Sequence, residues 1–98
     1  MDETISVRIP VEDLKRLEKI SQQAHLTKSA MLRDVLEIGI RQKMLQLALE
    51  KFQKEEVTAE KAAQLADIPL TRFLDILKEN NIEFHYSMQD LVEEFEGI

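Results

Sequence analysis

The feature that most restricts the possible folds of this chain is a single strand-like segment near its start. Residues 4–9 read TISVRI, in which polar and apolar residues alternate and four of the six residues are β-branched. This pattern predicts a half-buried strand with Ile5, Val7 and Ile9 on one face. No other segment clearly predicts a partner strand, and an isolated strand leaves its backbone groups unpaired. We therefore expect pairing with the same strand of a second copy, in an obligate homodimer. The alternative is a disordered or loosely docked N-terminal arm.

After Pro10 the apolar pattern changes to the helical period. Leu14, Leu17 and Ile20 form one stripe, which predicts a first helix. Thr27 is a suitable N-cap for a second helix, and no stop signal follows until about Glu55. With 2 glycines and 2 prolines in 98 residues, long helices are expected. The predicted fold class is therefore mainly α, with one intermolecular antiparallel β-ribbon per dimer.

The charge is divided unevenly along the chain. Residues 1–45 contain eight basic and seven acidic side chains, for a net charge of +1, whereas residues 46–98 contain five basic and twelve acidic ones, for −7. This asymmetry predicts two parts with different partners, a domain at 1–45 and an acidic domain at 46–98. Because the acidic residues concentrate in the second part, the overall charge of −6 does not exclude DNA binding by the first.

The first part resembles the ribbon-helix-helix DNA-binding proteins of the Arc/MetJ type, which include many antitoxins. The matching residues are TISVRIP at 4–10, Leu14 and Leu17, LTKS at 26–29 and MLR at 31–33. His25 departs from this pattern, since the family often has glycine in the turn between the helices.

This resemblance implies that the paired strands enter the major groove of double-stranded DNA. By position, Thr4, Ser6 and Arg8 would then read base edges. It also implies that Thr27, Lys28 and Ser29 hold a DNA phosphate at a helix N-terminus. The alternatives are a solvent-facing ribbon that only holds the dimer together, and a helix cap without a ligand.

The second part predicts two short helices joined by a tight turn. Thr58 is a suitable N-cap for the first helix, Pro69 separates the two, and residues 70–79 form the second. Asp67 and Asn81 occupy positions where left-handed turn residues are usual. We therefore expect a helix-turn-helix-like extension. Its strongly acidic surroundings argue against contact with DNA phosphates, although the sequence leaves the question open.

Residues 46–92 also resemble a small, uncharacterised prokaryotic family. The match comprises an AAQLA helix at 62–66, FLDIL at 73–77 and IEF at 82–84. Members of that family are often encoded beside PIN-domain nucleases, so the resemblance implies an antitoxin role and a toxin of that type as a possible partner.

The last residues interleave acidic and apolar side chains. If residues 90–96 are helical, Leu91 and Phe95 lie on one face with acidic residues around them. One interpretation is a solvated terminal helix. The other is a partner-binding element that lays its apolar side chains into a groove of a basic toxin. The predicted contact residues are Asp90, Leu91, Glu93, Glu94 and Phe95.

The sequence argues against catalysis and against a membrane protein. There is no cysteine, and His25 and His85 are far apart and lack acidic neighbours at ligand spacing, so no catalytic, metal or cofactor site is expected. No apolar run approaches the ~20 residues needed to span a bilayer. We therefore expect a cytoplasmic, dimeric, sequence-specific repressor, the antitoxin of a toxin–antitoxin pair. The alternative is a protein-interaction module that dimerises through its ribbon without reading DNA.

Overall fold

The computed structural model describes residues 1–83, and its described part is all-helical. The predicted partner-binding residues Asp90 to Phe95 lie outside the described residues. The helices are α1 (Val11–Gln23), α2 (Lys28–Gln53), α3 (Ala59–Ala66) and α4 (Leu70–Glu79). The chain divides into two compact units, unit 1 from Met1 to Gly39 and unit 2 from Ile40 onward.

The predicted β-ribbon is wrong, and with it the ribbon-helix-helix fold class. Neither residues 1–10 nor residues 11–83 contain a strand. Ile5, Val7 and Ile9 are 83%, 73% and 46% exposed. The physical reason is that β-propensity describes how well a residue fits a pleated, half-buried surface. A strand forms only where a second strand supplies hydrogen bonds, and the described chain is otherwise helices and turns.

Unit 1 contains α1 and the beginning of α2. The Oγ1 atom of Thr27 accepts a hydrogen bond from the backbone N–H of Ala30 at 3.1 Å, which confirms the predicted N-cap of α2. The ammonium group of Lys28 lies 3.1 Å from a carboxylate oxygen of Glu18, so an ion pair joins α2 to α1. Ser21 is the buried residue of unit 1, and its hydroxyl donates to the carbonyl of Leu17 at 2.7 Å.

Unit 2 contains the hydrophobic core of the described chain. Four alanines, of which Ala62 and Ala63 are almost fully buried, let α3 pack closely against its neighbours. Phe73 and Leu77 of α4 are the largest fully buried side chains. Phe52 of α2 packs against this core together with Leu45 and Leu49. The two helices predicted for the second half are thus present, and Thr58 caps α3 by accepting from the N–H of Lys61.

The four helices of residues 1–83 all end in the same way, with a non-glycine residue in the left-handed region. These residues are His25, Glu55, Asp67 and Asn81, with φ between 56° and 61°. At each end, the N–H of the following residue bonds to the carbonyl five residues earlier, as in Leu26 to Ser21 and Ile68 to Ala63. This is the Schellman motif, which satisfies backbone carbonyls at a helix end. The left-handed conformations predicted for Asp67 and Asn81 are confirmed.

Candidate DNA-binding and partner-binding surfaces

The N-terminus of α2 is the best-formed of the predicted DNA-contact sites. Thr27 uses its hydroxyl to cap Ala30, whereas the backbone N–H groups of Lys28 and Ser29 have no acceptor within the helix by its geometry. Both residues are exposed. The helix dipole adds partial positive charge at this position, so an anion such as a phosphate is favoured there. The Lys28 side chain, however, points to Glu18 in this conformation.

The residues predicted to read bases lie in the exposed N-terminal arm, residues 1–10. Thr4, Ser6 and Arg8 are all exposed, and none lies in a strand. No hydrogen bond or ion pair joins them to residues 27–29, where side chains bond instead to Ala30 and Glu18. Their assignment as base readers depended on a ribbon that fixes alternate side chains on one face. Without that ribbon, what remains of the prediction is an accessible arginine in a terminal arm.

Unit 1 carries an apolar surface that the described residues do not cover. None of its apolar side chains is buried, whereas the described part of unit 2 contains eight buried apolar residues. Eleven large aliphatic side chains are between 37% and 83% exposed, and we call this set the unit 1 apolar surface. It comprises Ile5, Val7, Ile9, Val11, Leu14, Ile20, Leu26, Leu32, Val35, Leu36 and Ile38. Large exposed apolar surfaces mark sites where another molecule binds.

A second feature, which we call the unit 2 groove, was missed by sequence reasoning. This groove of about 670 Å³ lies between α2 and the α3–α4 pair. Its lining residues are Arg41, Gln42, Met44, Leu45, Ala66, Asp67, Ile68, Arg72 and Ile76. The sequence contains a weak signal for it, because Arg41 and Leu45, like Arg72 and Ile76, are four residues apart on one helix face. Nothing in the sequence, however, indicates that the two faces meet.

Residues 1–83 contain neither a cluster of metal-ligating side chains nor a helix that could span a membrane. No group of three or more histidine, cysteine or acidic side chains is arranged to hold a metal ion in this region. No helix of the described residues is both long and apolar enough to cross a membrane.

The chain matches a known protein family over its whole given length. Residues 1–98 match the model of a family described as an uncharacterised protein family, UPF0175. This one family spans both units, so the comparison gives no support for a ribbon-helix-helix domain fused to a separate family. No curated protein and no solved structure matches the chain.

Proposed function

Because this chain belongs to the uncharacterised protein family UPF0175, whose name assigns no activity, we propose its function from the surfaces described above. We propose that it is a homodimeric DNA-binding regulator of the antitoxin type. Unit 1 forms the dimer and contacts DNA, and unit 2 with its acidic end binds a basic toxin. Catalysis is not part of this proposal.

The observation that carries the proposal is the unit 1 apolar surface. At ordinary side-chain areas, the exposed fractions of these eleven side chains sum to on the order of 1,000 Å² per copy, of which a partner on one side of the unit covers a part; a standard stable interface buries about 800 Å² per partner. A unit of this size without a buried apolar side chain has little to stabilise it alone. Another molecule that covers this surface would supply the missing hydrophobic burial.

A second copy of the chain is the occupant that fits best. Each copy lacks the same core, so one contact across a two-fold axis removes the deficit from both copies at once. Leu32, Val35 and Leu36 lie on one face of α2 at the spacing that helix–helix contacts use, and each is at least 41% exposed. This dimer is helical and requires no β-ribbon.

In such a dimer, DNA would meet two copies of the α2 N-terminus. Each copy offers the N–H groups of Lys28 and Ser29, and Arg8 of the arm adds a positive charge. Phosphate contacts of this kind position a protein on DNA, and arms that carry arginine can reach base edges in a groove. Doubling such contacts through dimerisation raises the apparent affinity without new contacts within either copy.

Fluorescence anisotropy with a DNA duplex from the region upstream of the coding sequence, beside a scrambled duplex, tests DNA binding and its dependence on the dimer. We expect preferential, salt-sensitive binding to the upstream duplex by the wild-type protein.

The Leu36→Glu variant should lose most of this binding, because a buried carboxylate disrupts the dimer. Leu47→Glu is the matched control, since Leu47 lies on the same helix with similar exposure, 55% compared with 53%, but outside unit 1. Equal binding to both duplexes would contradict sequence reading.

The antitoxin part of the proposal is supported by charge. Residues 46–98 have a net charge of −7, and residues 90–96 combine four carboxylates with Leu91 and Phe95. A PIN-domain nuclease needs basic residues to hold RNA, so an acidic element with apolar side chains is suited to cover them. Deletion of residues 88–98 should abolish co-purification of a co-expressed, neighbouring basic toxin. Unchanged co-purification would refute the role of these residues.

A further inference from the structure

We propose that, in the protein alone, the unit 2 groove receives the acidic C-terminal segment of the same chain, residues 90–96, which lies outside the described residues. The inference concerns the chain without DNA or toxin.

The charge of the groove is the first argument. Unit 2 contains two arginines in its sequence, Arg41 and Arg72, and both line this groove. Residues 46–98, which make up most of unit 2, are by contrast strongly acidic as a whole. Arg72 donates to Glu79 at 3.2 Å, and these side chains are 54% and 59% exposed. Exposed ion pairs contribute little free energy, so Arg72 can exchange Glu79 for another carboxylate at small cost. Asp67 is the acidic residue in the lining.

The apolar part of the groove is the second argument. Leu45 and Ile68 are half-buried and Ile76 is 7% exposed, so the lining combines apolar side chains that are partly or fully buried with exposed charged ones. Residues 90–96 read DLVEEFE, which combines aliphatic and aromatic side chains with four carboxylates. The occupant that this lining recognises is therefore an acidic segment with apolar anchors, and the chain itself carries one.

The length of the connection is the third argument. The described residues end at Glu83, shortly after the C-terminus of α4. From residue 83 to residue 90, seven residues of chain span at most about 23–25 Å. The ten-residue helix α4 is about 15 Å long, and Arg72 and Ile76 lie within it. The segment can therefore return to the groove alongside the helix that precedes it.

While the segment occupies the groove, its apolar side chains are shielded from solvent. A partner that binds these side chains must compete with the groove for them. A basic partner would then have to displace Arg72 from the carboxylates. The groove can hold the segment whether or not the protein binds DNA or a toxin, so this inference and the proposed function fail separately.

Disulfide trapping in the full-length protein tests the inference, because the natural chain contains no cysteine. Gln42→Cys places a thiol in the groove lining, and Val92→Cys places one in the segment. On mild oxidation of the double variant, we expect an intrachain disulfide that increases migration on a non-reducing gel. Gln46→Cys with Val92→Cys is the matched control, since Gln46 is exposed on the same helix but does not line the groove. Docking should make the Gln42 pair form about tenfold faster than the control, through its higher effective concentration.

Exchanging the charges of the groove and the segment distinguishes specific docking from random collision. Arg72→Glu should slow the Gln42–Val92 cross-link severalfold, and adding Glu93→Arg and Glu94→Arg should restore its rate. Equal rates of disulfide formation for the Gln42→Cys and Gln46→Cys variants, each combined with Val92→Cys, would overturn the proposal. A disulfide that forms only between chains would also overturn it. An Arg72→Glu variant that cross-links at the unchanged rate would overturn the role assigned to the arginine.

Discussion

The rings of Phe52 and Phe73 meet edge to face, with their centroids 5.6 Å apart and their planes at 86°. This contact joins the end of α2 to the core of unit 2, where Phe73 is fully buried. Aromatic pairs in this arrangement contribute about 0.5–1.5 kcal/mol beyond the area that they bury.

Phe73→Ala should therefore destabilise the protein severely. We expect a loss of about 3–5 kcal/mol in the free energy of unfolding, because the substitution removes a buried ring and leaves a cavity. Urea denaturation followed by circular dichroism measures it. Leu65→Ala on α3 is the control, since Leu65 is 39% exposed and should cost about 1 kcal/mol or less. Comparable losses from both substitutions would contradict the position of the core.

The left-handed helix ends give a second prediction, which concerns a gain in stability. Glu55 has φ 61°, a conformation that costs most non-glycine residues about 1–2 kcal/mol. Glu55→Gly should raise the free energy of unfolding by about 0.5–1 kcal/mol, because glycine relieves this strain while losing more backbone entropy on folding. Asp67→Gly should gain less, since aspartate tolerates this region better. A larger gain at Asp67 than at Glu55 in thermal denaturation would reverse the expected order.

These local features could be predicted from the sequence, whereas the features that depend on distant contacts could not. The caps at Thr27 and Thr58 and the turn at Asp67 depend on residues within one helical turn, so short patterns are sufficient to find them. The strand predicted for residues 4–9 required a partner strand, and local alternation alone does not supply one. Likewise, Arg41 and Arg72 are far apart in the sequence, and only the packing of α2 against α3 and α4 brings both to one groove.

The cap of α3 gives a third prediction. Thr58 accepts a hydrogen bond from the N–H of Lys61 at 3.1 Å, and its removal leaves that donor without its partner. Thr58→Ala should lower the free energy of unfolding by about 1 kcal/mol. Thr58→Ser retains the hydroxyl and should remain near the wild-type value. Equal denaturation midpoints for the alanine and serine variants would show that the cap contributes nothing.

The ion pair between Lys28 and Glu18 gives a fourth prediction, which concerns DNA binding. Lys28→Ala should weaken binding to specific and scrambled duplexes alike and reduce the slope of log affinity against log salt by about 2, because the dimer loses one phosphate contact in each copy. Glu18→Gln releases Lys28 from its partner and should strengthen binding to both duplexes. Anisotropy titrations at several salt concentrations measure both effects. An unchanged slope for Lys28→Ala would remove this residue from the DNA-contact surface.

The most direct test of the proposed function is the mass of the wild-type protein in solution, measured by multi-angle light scattering over a range of concentrations. If a second copy covers the unit 1 apolar surface, we expect a mass twice the 11.4 kDa of the chain. Larger species should not form, because a two-fold contact closes on itself. A single 11.4 kDa species at micromolar concentration, folded by circular dichroism, would contradict the dimer and the DNA-binding role that depends on it.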